Sequence, residues 1–435
     1  MNKRYDAIII GAGVVGACTA FEMAKAGWKT LSIDKLPASG YGSTSNSCSI
    51  IRTYYSALET CALAYEGWHY WRNWADHVGR EDEQGLIQYR ETGCMVIKTQ
   101  QNHFLSKVCK TMDEIGCPYT ELKTEQIKKY LPIVDTQQFA PAKRMDDPDF
   151  GLPTGPAIDG AVFFPHGGYV NDPMLAAHNA QIAAEKHGAE FKFRAEVSAI
   201  RQSGSRVLGV TLSDGSEIDA PVVVNLAGPH SSKINAMAGL AESMNIKTRA
   251  LRHEVAHVEA PKGFDFENKG MVYSDNDIQA YCRPETGNHM LIGSEDPPCD
   301  DKEWVDDPDN YDDNFSDQWN LMVMRMAQRF PDLGIPTKTQ GVVALYDVTD
   351  DWMPIYDKSD LGGFYTAIGT SGNQFKNAPV AGKLMTALIT AVEQGYDHDA
   401  EPLIFHLEHI DMMISLGVFS RNREINQNSS FSVIG

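Results

Sequence analysis

Three glycines and one aspartate near the start of the chain have the types and the spacing to bind a dinucleotide. Gly11, Gly13 and Gly16 form a G-x-G-x-x-G sequence, and Asp34 follows 18 residues after the last glycine. The first glycine permits a tight turn, the second lets a pyrophosphate approach the backbone, and the third lets a helix pack closely. An acidic residue at this distance accepts hydrogen bonds from an adenosine ribose. The pattern predicts an ADP-containing cofactor.

The flanking sequence predicts the elements that hold these residues in place. An apolar run at 5–10 is typical of a buried strand, and a second apolar segment at 30–33 ends directly at Asp34. Between them, apolar residues at helical spacing and a terminating Gly27 predict an amphipathic helix. The free N–H groups and the dipole at the start of such a helix favour phosphate binding. We therefore predict a βαβ unit within an α/β fold.

Composition narrows the class of protein. The length of 435 residues favours two domains, and a hydrophobic content of 43% is typical of a globular protein. The formal net charge of −20 argues against nucleic acid or an anionic membrane surface as a partner. The apolar stretch after Arg4 contains the phosphate turn, so we interpret it as part of the fold and expect neither a signal peptide nor an integral membrane segment. Eight cysteines without a Cys-x-x-Cys pair favour reduced thiols and a cytoplasmic location.

Patterns further along the chain predict additional elements. The segment 57–78 is predicted to be one long helix whose aromatic residues pack in the core. Turns at 203–205 and 213–216 indicate an antiparallel meander. The buried strand that follows, at 222–226, runs into a small-residue turn, and a glycine-rich turn at 369–372 precedes the last long helix.

Three motifs in this order make a family resemblance recognisable. They are Gly42-Ser43-Thr44, Asn225-Leu226-Ala227-Gly228-Pro229 and Gly369-Thr370-Ser371-Gly372-Asn373-Gln374-Phe375-Lys376. Together with the dinucleotide motif, they show that the chain resembles the D-amino-acid oxidase superfamily of FAD-dependent oxidoreductases. It is most similar to the branch that contains sarcosine oxidase, glycine oxidase and dimethylglycine dehydrogenase. The resemblance covers roughly residues 5–95 and 160–395.

The resemblance implies a Rossmann-like FAD-binding domain interleaved with an antiparallel-sheet substrate domain. The implied FAD-binding domain comprises 1–90, 160–230 and 341–400, the substrate domain 91–159 and 231–340, and a C-terminal extension 401–435. The implied activity is oxidation of the C–N bond of a small carboxylated amine by hydride transfer to flavin, after which the imine hydrolyses. The substrate would be an N-methyl or other secondary or tertiary amino acid, or a D-amino acid.

The resemblance also implies where the cofactor binds. The turn at 369–372 would present backbone N–H groups and a helix dipole to the negative charge of reduced flavin. The implied cofactor contacts are Gly11, Gly13, Val14, Val15, Gly16, Asp34, Lys35, Ser43, Thr44, Ser45, Val197, Ala227, Gly228, Gly369, Gly372, Asn373, Gln374, Phe375 and Lys376.

Two cations match the substrate site of sarcosine oxidases. Arg52 stands at the position that holds the substrate carboxylate in those enzymes, and Lys376 matches a second partner of the same carboxylate. Arginine suits this role because its planar fork makes two parallel hydrogen bonds to a carboxylate. We expect Tyr54, Tyr346 and Trp352 to line the same pocket.

The chain departs from the family pattern at three positions. Ala344 replaces a cysteine, and Asn46 a histidine, that bond covalently to flavin in two subfamilies, so we expect non-covalent FAD. Leu291 aligns with a lysine that activates oxygen in sarcosine oxidases. Reoxidation by oxygen is therefore expected to be slow, and the electron acceptor would be oxygen, a quinone or a flavoprotein, with the latter two favoured.

Other interpretations of the sequence make different predictions. His253-Glu254-Val255-Ala256-His257 matches the H-E-x-x-H zinc motif, but the local pattern predicts a strand, on which Glu254 points away from both imidazoles, so we expect no metal. A second interpretation is a flavin-binding electron-relay subunit of a heteromeric oxidase. A third interpretation is an FAD-dependent hydroxy-acid dehydrogenase.

Overall fold

The dinucleotide motif folds as a βαβ unit, as predicted. The computed structural model describes residues 4–99, 102–427 and 429–433. Strand Ala7–Ile10 and strand Thr30–Ile33 pair in parallel, with Ala7 opposite Thr30, and helix Val14–Lys25 connects them. All eight strand residues are buried, which explains the continuous apolar runs in the sequence.

A six-stranded sheet extends this unit. Five strands are parallel, and an antiparallel strand closes one edge. In spatial order the strands are Ile355–Lys358, Phe364–Ile368, Val222–Asn225, Ala7–Ile10, Thr30–Ile33 and Glu190–Lys192. The sheet therefore unites segments that are far apart in the chain, as the interleaved architecture requires.

A nine-stranded, mainly antiparallel sheet forms the second layer. Its longest strand, Thr248–Glu259, pairs with Gly341–Thr349, Trp304–Val305 and His289–Ser294. The order continues from His289–Ser294 through Ala280–Glu285, Val272–Asp275, Cys94–Ile97, Ala161–Phe164 and Thr120–Leu122. Strands 161–164 and 341–349 fall in ranges that the sequence analysis assigned to the FAD-binding domain, and the division into domains remains a prediction.

Smaller sheets flank these layers. The predicted meander is present as Val197–Ser203, Arg206–Leu212 and Glu217–Asp219. The remaining strands are Ile50–Ile51, Gly168–Val170 and Tyr89–Arg90 in one sheet, and Ile404–Leu407 and Met412–Ser415 in another.

Helices cover the six-stranded sheet and connect the layers. Helix Val14–Lys25 packs against Pro173–Lys186 and Ala378–Glu393. A Cβ added at Gly382 would lie 2.6 Å from the Cys18 carbonyl oxygen, so the last contact requires glycine. The remaining α-helices are Leu58–Arg72, Trp74–Val78, Phe104–Ile115, Thr124–Tyr130, Ser231–Met237, Phe266–Lys269 and Asp317–Arg329. Short 3₁₀ helices lie at Gly228–His230, Phe375–Asn377 and Leu416–Phe419.

One helix prediction needs correction. The segment 57–78 is two helices, Leu58–Arg72 and Trp74–Val78, because Asn73 at their junction leaves the helical conformation. The aromatic residues of the segment pack in the core as expected, with Trp71 and Trp74 stacked 4.6 Å apart. No helix in the described ranges combines the length and apolar character needed to span a bilayer.

Candidate active site

The main cavity lies between the two large sheets. Loops 13–16, 226–229 and 370–376 border it, and each follows the carboxyl end of a parallel strand of the six-stranded sheet. Val255 and Ala344 of the nine-stranded sheet form part of the opposite wall. The empty space, including its opening to solvent, measures about 1450 Å³. The carboxyl ends of parallel strands are where open α/β sheets bind ligands.

Two of the three glycines of the first motif, Gly11 and Gly16, meet backbone contacts that a larger residue would not tolerate. Gly11 has a φ of +107°, and a Cβ there would lie 2.3 Å from the Leu226 carbonyl oxygen. A Cβ at Gly16 would lie 2.1 Å from the Gly11 carbonyl oxygen, so this glycine permits the helix to pack against the turn. At Gly13 the nearest atom would be Thr44 Oγ1, at 3.2 Å. The steric roles of the first and third glycines agree with the sequence analysis.

The start of helix Val14–Lys25 faces the cavity. Its N-cap, Gly13, supplies no side-chain cap, and the first turn holds no acidic residue. The Val14 N–H donates to Thr44 Oγ1 at 3.1 Å. Asp34 lies behind this turn, where its two oxygens accept from the Ala12 N–H at 2.7 Å and the Leu36 N–H at 2.8 Å. This helix end is therefore open to an anion.

The glycine-rich turn at 369–372 is held from below by a buried carboxyl group. Asp347 accepts from the Gly369 N–H at 2.6 Å through Oδ2, and from the Ser371 N–H at 2.7 Å through its backbone oxygen. Burial raises the pKa of Asp347 to about 7. Gly372 approaches Tyr346 so closely that a Cβ would lie 2.4 Å from the ring. The side-chain nitrogen of Asn373, on the cavity wall, is buried and has no hydrogen-bond partner in the described structure.

Arg52 projects into the cavity from the end of strand Ile50–Ile51. It is 7% exposed, and its guanidinium stacks 4.2 Å from the centre of the Tyr55 ring. Nη1 donates to the Tyr54 carbonyl oxygen and Nη2 to the Val433 carbonyl oxygen, both at 2.6 Å. No Asp or Glu among the described residues lies within 4.0 Å of its charged nitrogens. Its charge is therefore open to an anionic ligand.

Lys376 enters the same cavity from the glycine-rich loop. Its Nζ donates to the Tyr55 hydroxyl at 2.9 Å and to the Asn373 carbonyl oxygen at 2.5 Å. Burial, followed by repulsion from Arg52, holds the pKa of Lys376 well below its usual range. The loop is fixed by helix Leu58–Arg72, where Trp71 Nε1 donates to the Lys376 carbonyl oxygen at 2.7 Å. An anion between the two cations would favour the protonated lysine.

Aromatic and polar side chains complete the wall. His253 stacks on Tyr346 with ring centres 4.1 Å apart, and its Nε2 lies 3.4 Å from Asp296 Oδ2. Tyr281 leans over Gly293, where a Cβ would lie 2.3 Å from its ring. Glu295 also lines the cavity and is fully buried.

Comparisons with known proteins identify the family. A family model described as FAD dependent oxidoreductase matches residues 6–388. The chain belongs to this family of FAD-dependent oxidoreductases. It is 24% identical to sarcosine oxidase subunit beta of Rhodobacter capsulatus, over 96% of this chain and 92% of that protein. It is 24% identical to glycine oxidase of Geobacillus kaustophilus, over 91% and 96% of the two chains.

Solved structures share the fold of this FAD-dependent oxidoreductase. L-proline dehydrogenase from P. horikoshii superposes with a TM-score of 0.74 at 20% identity, covering 90% of this chain and 95% of that one. Glycine oxidase from Geobacillus kaustophilus gives a TM-score of 0.73 at 21% identity, covering 97% and 100%.

The residues of the cavity fit FAD, the cofactor of this family. The open helix end at Gly13 and Val14 suits a pyrophosphate, and the Asn373 side-chain nitrogen, which has no partner among the described residues, offers a donor on the cavity wall. The predicted cofactor residues that line the cavity are Gly13, Val14, Val15, Gly16, Ser43, Thr44, Gly228, Gly372, Asn373, Gln374, Phe375 and Lys376.

Other predicted residues lie outside the cavity wall. Lys35 pairs with Asp309 and contacts His230 Nε2 at 2.9 Å, and Val197, the first residue of the meander, is buried in a hydrophobic cluster. Trp352 packs behind Tyr346, while Tyr54 and Tyr346 themselves line the cavity. The others outside the wall are Gly11, Asp34, Ser45, Ala227 and Gly369.

The positions that depart from covalent relatives also lie at the cavity. Asn46 and Ala344 both line it, whereas Leu291 shares a strand face with Gly293 but does not reach the wall. The H-E-x-x-H sequence lies on strand Thr248–Glu259, as predicted, and Glu254 is on the opposite face, where Ser316 Oγ donates to it at 2.7 Å. No cluster of three metal-binding side chains occurs in the described part of the chain.

The cavity residues that the sequence analysis missed as substrate-site candidates include Ser274, Tyr281, Glu295 and Val433. One sequence signal was available for Glu295. Leu291, Gly293 and Glu295 stand at alternate positions, and side chains two residues apart share one face of a strand, so a strand here would carry all three on one face. Val433 had no such signal, because its place depends on a tail that matches no known motif.

Proposed function

We propose that this FAD-dependent oxidoreductase oxidises the C–N bond of a small carboxylated amine. The observation that carries the proposal is the pair Arg52 and Lys376, two buried cations without an acidic partner in the described structure, in the cavity that the dinucleotide turn borders. A substrate carboxylate supplies the missing charge. The relatives named above as sarcosine oxidase, glycine oxidase and proline dehydrogenase act on molecules of this class, which supports the proposal.

Each residue contributes a defined step. When bound, FAD would supply the hydride acceptor for the carbon attached to nitrogen, and water would hydrolyse the resulting imine. Arg52 holds the substrate carboxylate through its fork, and Lys376 neutralises the second oxygen. Tyr346 and Tyr281 close the wall beside the reacting carbon and exclude water. The open helix end at Gly13 would hold the pyrophosphate, and Asn373 would donate to the flavin end.

An anaerobic screen tests this proposal. Sarcosine, glycine, L-proline and D-alanine are mixed in turn with the FAD-loaded protein, and the flavin absorbance near its visible maximum is followed. At least one of these amino acids should bleach it, and lactate, added as the hydroxy-acid control, should not. Bleaching by hydroxy acids alone would instead establish the hydroxy-acid dehydrogenase.

The electron acceptor is part of the proposal. We expect transfer to a quinone, a flavoprotein or a dye to be faster than transfer to oxygen, as the leucine at position 291 suggests. Reduced protein mixed with aerated buffer should reoxidise more slowly than it turns over with a dye, and equal rates would contradict this. The electron-relay alternative is favoured by one relative being a subunit of sarcosine oxidase. Co-purification of a fixed partner together with absence of turnover alone would support it.

A further inference from the structure

Glu295 is an unusual residue in the cavity wall. It is the one Asp or Glu among the residues that line the cavity within the described ranges, and it is only 3% exposed. It follows directly after strand His289–Ser294. The pKa of Glu295 is raised to about 8, mainly by burial. A buried carboxyl group is costly to ionise unless a cation or strong donors compensate it.

The donors around Glu295 are neutral. Ser274 Oγ donates to Oε1, and Asn276 Nδ2 donates to Oε2 at 2.7 Å. The nearby acids differ, because Asp275 and Asp277 are both paired with the buried Arg329, at 2.6 Å and 2.8 Å. No charged nitrogen of a described residue lies within 4.0 Å of Glu295. The carboxyl group is thus oriented by hydrogen bonds while its charge has no partner.

The two basic side chains of the cavity, Arg52 and Lys376, line the same space as Glu295. Arg52 lowers the pKa of Glu295 electrostatically without contacting it, and Tyr54, two residues after Arg52, shares a hydrogen bond with the Ser274 that holds Glu295. The cavity therefore presents two cations and one carboxyl group. An amino acid carries the complementary charges, a carboxylate and an ammonium group.

We propose that Glu295 binds the amino group of the substrate and accepts its proton. This inference rests on the proposed function. The N–H bond of the substrate ammonium breaks, an O–H bond forms on a Glu295 carboxylate oxygen, and the nitrogen keeps the electron pair. That pair is needed for the C=N bond that forms as hydride leaves the adjacent carbon. Glu295 is then also the residue that selects amino acids over hydroxy acids.

A carboxyl group with this environment suits the task. Proton acceptors work best when their pKa lies near the working pH, and this condition holds for Glu295. The ionised form also attracts the substrate ammonium, while the neutral form avoids a buried charge in the empty site. Asp275 raises and Arg52 lowers the pKa of Glu295. Tyr54 and Cys94 interact electrostatically with Glu295, Lys376 and His253 line the same cavity, and Asp296 lies beside His253.

The test compares Glu295→Gln with the wild-type holoenzyme. Two ligands that cannot be oxidised differ only in the amino group: 2-aminoisobutyrate, which has no hydrogen on the carbon attached to nitrogen, and isobutyrate. Their Kd values follow from the change in flavin absorbance. In Glu295→Gln the Kd of 2-aminoisobutyrate should rise at least tenfold, while the Kd of isobutyrate should stay within about twofold of the wild-type value. The kcat/KM for the best amine should fall about 10²–10⁴-fold, the range for a lost acid–base group.

The pH profile separates a chemical role from a structural one. In the wild type, log kcat/KM should rise through about pH 8, because Glu295 must be ionised to accept the proton. In Glu295→Gln the rise of log kcat/KM should shift to the pKa of the free substrate amine. In Glu295→Asp part of the rise near pH 8 should return. Glu303→Gln is the matched control, since Glu303 lies on the surface beside Arg252. It should change none of these values.

Three results would overturn the proposal. If Glu295→Gln raises the Kd of both ligands equally, the role of Glu295 is structural. If kcat/KM is unchanged in this variant, Glu295 has no role in the reaction. If that variant does not fold, a wild-type profile without a limb near pH 8 would decide against it. If no amine reduces the wild-type flavin, the proposed function fails, whereas the comparison of the two ligands still tests whether Glu295 binds an amino group.

Discussion

Arg52 and Lys376 are buried basic side chains that the fold leaves without an acidic partner in the described structure. Other buried arginines are paired, for example Arg329 with Asp275. A buried charge without a counterion is costly, so the fold retains it where a ligand supplies the opposite charge. Because Lys376 also has a lowered pKa, binding of a carboxylate should bring a proton to it.

Replacing either basic side chain should therefore weaken substrate binding and leave flavin binding unchanged. We predict that Arg52→Lys and Lys376→Met each cost about 2–4 kcal/mol in kcat/KM, as for truncated buried charge pairs. Lys383→Met, a change at a partly exposed lysine that lies beside Glu408 and outside the cavity wall, is the matched control and should have no effect. Steady-state kinetics and the FAD content of purified protein measure both quantities. Wild-type kcat/KM in both cavity variants would refute the assignment.

The residues of the site differ in how far the sequence could predict them. Gly11 and Gly16 follow from local spacing, because a turn and a close helix contact depend on neighbours in the chain. Arg52 followed only from the resemblance. Glu295 lines the cavity at the end of a strand whose place depends on the pairing of three strands, and that pairing is not encoded locally.

At the scale of elements, the βαβ unit was predictable, whereas the break in the helix predicted at 57–78 was not. Buried parallel strands give continuous apolar runs that are easy to read. The break at Asn73 instead arises within an apolar, aromatic stretch that continues on both sides, so hydrophobic periodicity gave no warning. The pairing of strand Ala161–Phe164 in the nine-stranded sheet was equally hidden, because sequence order does not state which sheet a strand joins.

Gly16→Ala should disrupt the unit that carries the cofactor. Its added Cβ would lie 2.1 Å from the Gly11 carbonyl oxygen, so the helix must move away from the turn. We expect loss of FAD and a lower melting temperature. Gly334→Ala is the control, because nothing lies within 4 Å of a Cβ at that position. Full FAD occupancy in Gly16→Ala would contradict the packing argument.

The C-terminal segment competes for Arg52. Arg52 Nη2 donates to the Val433 carbonyl oxygen at 2.6 Å. A carboxylate that binds the arginine fork needs this same nitrogen. Ending the chain after residue 427 should lower the Kd of isobutyrate about threefold to tenfold, given roughly 1 kcal/mol for one hydrogen bond. Val433→Ala keeps the carbonyl and should leave the Kd unchanged. Weaker binding after truncation would mean that the segment assists the ligand.

At the scale of the molecule, two sheets enclose one cofactor cavity that no covalent bond is expected to reinforce. Asn46 and Ala344 line the cavity where covalent relatives carry histidine and cysteine. Acid precipitation should therefore release all the yellow colour into the supernatant. Colour that stays in the pellet would indicate another attachment residue, and Cys48 on the cavity wall would be the first to replace by serine.

The central claim is that this cavity oxidises an amine that carries a carboxylate. Its most direct test is anaerobic reduction of the wild-type flavin by the best amino acid from the screen and, in parallel, by the methyl ester of that amino acid. Both have the same C–N bond, and only the acid offers a charge to Arg52 and Lys376. The acid should bleach the flavin at least 100-fold faster at equal concentration. Equal rates with the ester, or no bleaching by any carboxylated amine, would contradict the account.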